Sequence, residues 1–378
     1  AFLFKHQPDM IVQEFLNGQE IGADVYIDML SGQTAAIFTK NLVKSDTIYV
    51  TKKHLENGTA QAVVVNSGNA NACNPDGYEK AEKMCNLAAD ALGVDENDVI
   101  VASTGVIGQP LPIEPIASGI EKLKGMLSKD GGISAAEAIM TTDTVKKQWA
   151  VETVLDGKKV TIGGIAKGSG MIHINMGTTL SFVTTDAAIS SEMLKSALIE
   201  AADVSYNMVS VDGDTSTNDT LAIMASGYAG NKEITEKNDD YKIFTAVLTD
   251  AFKKVAKKLA KDGEGATKLL ICKVDGAKDD KSAKIISKSI ICSSLVKAAM
   301  FGADANCGRI LCAIGYSGAE TDVKKIDVSY KSAKGEILVC KDGNGLVFDE
   351  DKAKEILLED EIEILVKLGD GNASAEAY

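Results

Sequence analysis

Short apolar segments of strand length recur along the whole chain, and the order in which they alternate with helical segments limits the architectures open to it. "ADVYIDML" (23–30), "TAAIFTK" (34–40), "QAVVVNS" (61–67), "DVIVAST" (98–104), "WAVETVL" (149–155), "KVTIGGIAKG" (159–168) and "TLSFVTTD" (179–186) read as strands in the first half. "DTLAIMAS" (219–226), "KLLICKV" (268–274), "RILCAIG" (309–315), "KIDVSYK" (325–331), "EILVCK" (336–341) and "EIEILVKL" (361–368) read as strands in the second. Several alternate apolar and polar residues, as strands covered on one face do. Helices are expected over 77–92, where Ala81, Met84, Cys85, Ala88 and Leu92 form one stripe and Gly93 stands at the stop. Others are expected at 190–203, 240–261 and 284–301, and one starting at Ser134, whose spacing to Glu137 is that of a capping box. Blocks of strands and helices without strict βαβ alternation predict an α+β fold with layered mixed or antiparallel sheets.

At 378 residues with 45% hydrophobic content, the chain has material for two or three domains with real cores. A net charge of −14 argues against nucleic acid or anionic membrane as the main partner and favours a small-molecule substrate. No apolar run has the length of a membrane span, and Lys5, Pro8, Asp9 and Glu14 interrupt what a secretory core would need, so a cytoplasmic location is expected. The seven cysteines form no C-x-x-C and mostly sit in apolar runs, as reduced hydrophobes do.

Residues suited to chemistry are scarce. The three histidines are His6 in the irregular N-terminus, His54 in the polar loop "TKKHLENG", and His173 among apolar residues, where a hydrogen-bonded structural role is expected. A serine triad is poorly supported, and "GSG" at 168–170 lacks the spacing of a nucleophile elbow. "DGDTSTNDT" (212–220) begins like a calcium loop, but Thr217 and Ile223 occupy the positions of the required Gly and bidentate Glu, so it reads as a turn opening a strand. No phosphate-binding loop or metal cluster is apparent. "KGSGMIHINMGTTLSFVTTDA" (167–187) offers a device that needs none of these. If the chain cuts itself between Gly177 and Thr178, Thr178 gains a free α-amine whose pKa of about 7.7–8.0 suits it as base for its own hydroxyl. From chemistry alone, a Gly-Thr pair before such a segment is usually just the start of a strand.

Seven segments, in order, carry a resemblance. They are "NSGNANAC" (66–73), "STGVIG" (103–108), "AIMTTDT" (138–144), "IAKGSGMIHINMGTTLSFVTTDA" (165–187), "SVDGDTSTNDT" (210–220), "DGEGATK" (262–268) and "FGADANCGRI" (301–310). From about residue 22 onward the chain resembles the ornithine acetyltransferase family of arginine biosynthesis, also called glutamate N-acetyltransferase. The resemblance implies a layered sandwich of the self-processing N-terminal-nucleophile type with a smaller C-terminal α/β domain. It implies cleavage into an α chain (1–177) and a β chain (178–378), assembled as α2β2. Thr178 then takes the acetyl group of N-acetylornithine and passes it to glutamate in a ping-pong reaction. Thr104 and Gly105 match the family's oxyanion hole, and Thr141, Lys167 and Glu264 its substrate-binding positions. Lys167 would pair with a substrate carboxylate and Glu264 with the ornithine ammonium; Thr142 and Asn71 would line the site. No cofactor is implied beyond acetyl-CoA as an acetyl donor in a bifunctional enzyme.

The chain departs from the family pattern at Ile174, where proline is usual, at Gly177, where alanine is usual, and at Ala303 and Cys307, where glutamate and tryptophan are usual. A segment that supplies substrate-holding asparagine and threonine in the family is not found before Tyr378. Two rival readings stand beside acetyl transfer: a related self-processing amidohydrolase or aminopeptidase that uses water, and an unprocessed, non-catalytic relative.

Overall fold

The structure is a computed structural model that describes residues 22–27, 33–38, 45–128, 130–173 and 179–378. The elements in chain order begin with β1 (Gly22–Ile27), β2 (Gln33–Phe38), α1 (Asp46–His54), β3 (Thr59–Ala60), β4 (Ala62–Asn69), α2 (Gly77–Leu92), β5 (Val99–Val106), α3 (Ile113–Lys124) and α4 (Gly132–Ala138). They continue with β6 (Lys147–Leu155), β7 (Lys158–Lys167), β8 (Leu180–Thr185), α5 (Ser191–Asp203), β9 (Thr220–Ala225) and α6 (Asp239–Lys261). The last are β10 (Leu269–Ala277), α7 (Asp280–Cys292), α8 (Ser294–Phe301), α9 (Cys307–Gly315), β11 (Asp327–Ser332), β12 (Gly335–Lys341), β13 (Asn344–Gly345), α10 (Glu350–Leu357), β14 (Glu361–Lys367) and β15 (Ala373–Ala377). The chain divides into two compact units, residues 1–202 with 215–255, and residues 203–214 with 256–378.

In the first unit, among the described residues, a three-stranded sheet β1-β4-β5 faces a six-stranded sheet β3-β2-β9-β8-β7-β6. Successive side chains of a strand point to opposite faces. Val63 and Val65 of β4 and Ile100 and Ala102 of β5 therefore meet Leu180, Phe182, Ala222 and Met224 of the larger sheet. Ala62, Val64, Val99 and Val101 point the other way, onto Ala81, Met84, Cys85 and Ala88 of α2 and Ile116, Ile120 and Leu123 of α3. Burial on both faces explains why "AVVV" is a continuous apolar run instead of an alternating one. Trp149 of β6 packs edge-on against Phe252 of α6, ring centroids 5.9 Å apart. The β6–β7 hairpin turns on Asp156 and Gly157, both at positive φ, which is the pairing that two-residue hairpins favour.

In the second unit the sheet order is β13-β12-β11-β14-β10-β15, with β10 and β14 parallel and the other described pairings antiparallel. Ile362, Ile364 and Val366 alternate into a core shared with Ala283, Ile286 and Ile290 of α7 and Ile356 and Leu357 of α10. The mixed order of strands and helices makes the fold α+β.

Four local expectations are corrected. "RILCAIG" lies in α9, not a strand: Ile310, Ala313 and Ile314 are buried at helical spacing, and the Asn306 side chain caps the helix by accepting the Arg309 N–H. The helix expected over 284–301 is two helices, α7 and α8, because Ser293 ends the first and its hydroxyl caps the second. Ser134 lies inside α4, which starts at Gly132, so it caps nothing. The loop around His54 is the end of α1, and His54 is buried with Nδ1 2.8 Å from the Val99 carbonyl.

That last correction has a physical cause. β5 has a described strand partner on one side only, and α1 covers its other edge. The Thr51 hydroxyl donates to the Val101 carbonyl at 2.7 Å and accepts the Val101 N–H at 2.9 Å. A polar helix face here serves strand-edge backbone groups that would otherwise be buried without partners.

Candidate functional site

β4 and β5 run parallel in register, and their ends place Gly68 beside Gly105. Gly105 has φ +126°, and a Cβ built there would fall 2.2 Å from the Gly68 carbonyl carbon and 2.6 Å from the Asn69 nitrogen. Only a glycine lets the two backbones approach this closely. Thr104 immediately precedes it and is half-buried. Around this turn the asparagines of "NSGNANAC" bond to main chain: Asn66 Nδ2 donates to the Asn69 carbonyl, Asn69 Nδ2 to that of Gln109, and Asn71 Nδ2 to that of Gly77. Asn71 sits at φ +46° and is fully buried, so it builds the turn. Its expected place lining the site is thereby recast as support.

The turn is joined to the start of β8 by two residues that sequence reasoning did not single out. Asn218 Nδ2 donates to the carbonyls of Ser103, at 2.8 Å, and Ala70, at 2.5 Å. Its neighbour Asp219 accepts the Thr179 N–H on Oδ1 at 2.5 Å, and the Thr220 N–H donates to the Thr179 carbonyl at 3.0 Å. One short segment therefore grips both the Thr104–Gly105 turn and the residue that follows Thr178. Asp219 is 1% exposed, and burial pushes its carboxyl well above the usual range, outweighing the Thr179 amide and the Lys167 charge, which both favour ionisation. The signal available in the sequence was the density of hydrogen-bonding side chains in "TSTNDT" directly before a wholly apolar strand.

A second buried cluster surrounds Asp143, also not singled out. Asp143 Oδ1 lies 2.7 Å from Lys147 Nζ and accepts the Gly168 N–H at 2.9 Å. Oδ2 accepts the Thr141 N–H at 3.3 Å and lies 3.8 Å from Lys167 Nζ. Lys167 in turn donates to Thr141 Oγ1 at 2.7 Å. Burial alone would raise the Asp143 carboxyl, but Lys167 and then Lys147 overcome it and hold the group below its ordinary value. Both ammonium groups are buried beside this carboxylate, and a lysine so placed is chemically suited to a carboxylate ligand. Thr141 and Lys167 are thus brought together. Thr142 is exposed, its carbonyl accepting the Ser169 hydroxyl at 3.3 Å.

Glu264 belongs to the second unit, where it is exposed and lines a cavity of about 240 Å³ with Lys268, Lys297, Phe301 and Tyr378. Lys297 donates there to the carbonyls of Ser210 and Val211, and burial lowers its pKa. Gly177 and Thr178, and with them the expected cleavage site, lie outside the described residues, as do Ile174 and His6. Among the described residues no group of three or more His, Cys, Asp or Glu side chains is placed to hold a metal, and no helix is long and apolar enough to cross a membrane.

Residues 22–378 match the profile of the ArgJ family. The chain is 51% identical over 345 residues to arginine biosynthesis bifunctional protein ArgJ 1 of Clostridium acetobutylicum, covering 91% of this chain and 85% of that protein. It is 48% identical over 355 residues to the ArgJ protein of Caldanaerobacter subterraneus, covering 94% and 88%. A crystal structure of arginine biosynthesis bifunctional protein ArgJ from Bacillus halodurans is similar at 44% identity with a TM-score of 0.50, over 52% of this chain and 92% of that one.

Proposed function

The chain belongs to the ArgJ family of arginine-biosynthesis acyltransferases, and we propose that it moves an acetyl group from N-acetylornithine to glutamate through an ester on Thr178. The observation that carries this reading is the Asn218–Asp219 segment, which ties the Thr104–Gly105 turn to Thr179, the residue bonded to the proposed nucleophile. In the proposed sequence the chain first cleaves after Gly177, giving an α chain of 1–177 and a β chain from 178. The new α-amine of Thr178 takes the proton of its own hydroxyl as Oγ attacks the acetyl carbonyl. Thr104 and Gly105 stabilise the oxyanion of the tetrahedral intermediate. The amine of ornithine leaves with the proton, and glutamate reverses the steps on the acetyl ester.

Lys167, with Thr141 beside it, is the proposed partner of a substrate carboxylate, supported by its ammonium charge and its hydrogen bond to Thr141. Glu264 is the proposed partner of the ornithine side-chain ammonium, supported by its charge and by the cavity it lines in its own unit. Use of acetyl-CoA as a second acetyl donor belongs to the same proposal, and the chain's relatives are bifunctional proteins. Assembly as α2β2 in the cytoplasm belongs to the same proposal, and native mass measurement tests the stoichiometry.

The intact mass of the purified protein under denaturing conditions is the deciding experiment. Two fragments meeting at Gly177 and Thr178, with acetyl exchange between ornithine and glutamate that disappears in Thr178→Ala, are expected. A single uncut chain that lacks exchange, or exchange retained in Thr178→Ala, would overturn the reading. Release of acetate without any glutamate requirement would replace the transferase with a hydrolase.

A further inference from the structure

Asp219 is a buried acidic group that the mechanism above does not use. One of its oxygens holds the Thr179 amide, while Oδ2 and the Thr179 hydroxyl are both fully buried with no hydrogen-bond partner among the described residues. A carboxyl so enclosed stays there only if it is neutral or does something that repays the cost of desolvation. We infer that Asp219 is a positioning residue of the acetyl-transfer site, acting through the Thr179 amide to fix the main chain that carries the nucleophile. The inference rests on the reaction proposed above and extends it to a residue with no assigned role.

The geometry gives the reason. Three covalent bonds separate the nitrogens of adjacent residues, so the Thr178 nitrogen lies within about 3.7 Å of the Thr179 nitrogen whatever the torsions. A carboxyl oxygen 2.5 Å from the Thr179 nitrogen therefore restrains the main chain at the reacting residue. Charge matters as much as position. Lys167 of β7 is the charged group acting on Asp219, and Asp143 and Lys147 stand behind it; Thr179, whose N–H reaches the carboxyl, is neutral, as are the chain neighbours Asn218 and Thr220. The tetrahedral intermediate is an anion. A neutral Asp219 leaves the donors of the oxyanion hole unopposed, whereas an ionised, water-excluded Asp219 repels the developing charge. Burial raises its carboxyl well above the ordinary value and so favours the neutral form, and transfer should decline as pH rises through the folded value.

The test compares Asp219→Asn and Asp219→Ala with the wild type, measuring acetyl exchange against pH on the processed protein and thermal unfolding alongside. Asn keeps the acceptor and can never ionise, so it should retain most of kcat at neutral pH and lose the alkaline decline of the wild-type profile. Ala should lower kcat at least tenfold with KM within about twofold, because the substrate contacts are elsewhere. A wild-type alkaline limb that survives in Asp219→Asn, or an Asp219→Ala variant with unchanged kcat, would overturn the inference while leaving acetyl transfer intact. If Ala fails to fold, the Asn profile decides alone. A wild-type chain with no exchange would overturn the reaction and the inference together.

Discussion

Replacing Gly105 with alanine should destabilise the first unit far more than the same change at a glycine of similar conformation elsewhere. The added Cβ would stand 2.2, 2.4 and 2.6 Å from the Gly68 carbon, the Gly68 oxygen and the Asn69 nitrogen, all backbone atoms of a paired strand that cannot rotate away. Forcing a methyl into such a space costs about 1–3 kcal/mol, and the positive φ of +126° adds another ~1–3 kcal/mol for a residue with a side chain. Together this is about 2–6 kcal/mol. At about 2–4 °C per kcal/mol for a unit of this size, Tm should fall by roughly 4–24 °C. Gly93→Ala is the control, since Gly93 caps α2 at φ +72° with nothing within 4 Å of its added Cβ, so only the left-handed backbone cost of about 1–2 kcal/mol applies. Chemical denaturation of both variants, read by circular dichroism, checks the difference. Equal losses at the two positions would refute the close-approach reasoning.

Thr51→Val should cost about 2–4 kcal/mol, because it strips partners from both the N–H and the carbonyl of Val101; Thr51→Ser should restore most of it, and urea unfolding separates the two. Asp143→Ala should cost about 3–5 kcal/mol by leaving two buried ammonium groups without their carboxylate, with Asp143→Asn milder in the same assay. Because the Asp143 carboxyl sits below its unfolded value of 3.8, its contribution is present above that pH and lost as pH falls through the folded value. An acid-unfolding midpoint that stays unshifted in Asp143→Asn would count against this. Asn218→Ala should cost about 2–3 kcal/mol for two lost carbonyl partners and, on the proposed function, slow self-cleavage as followed by mass spectrometry.

Most strands and the α+β class were legible from residue order, because a short run of β-branched residues between turn signals has few other uses. α2 was equally legible: its stripe and its Gly93 stop are local facts, and the observed helix spans Gly77–Leu92. Failures occurred where the partner was remote. "RILCAIG" is short and apolar throughout, so strand and helix periods fit it alike, and the cap that decides it is Asn306. α1 presents Thr47, Thr51 and His54 inward, an inverted pattern that makes sense only beside the edge of β5 that has no described strand partner.

The sites divide in the same way. Thr104, Gly105, Thr141, Lys167 and Glu264 could be named as candidates only through the family resemblance of the motifs that contain them. Asp143, Asn218 and Asp219 could not, because their importance lies in what they touch: Gly168, Ser103 and Thr179, separated from them by 25, 115 and 40 residues. By itself the sequence determined where most strands lie and which residue types were available for acyl transfer, because both follow from local periodicity and covalent chemistry. Tertiary structure alone decided which carboxyl has its pKa lowered and which has it raised, because that depends on the charges and the water excluded around each group once the sheets have closed.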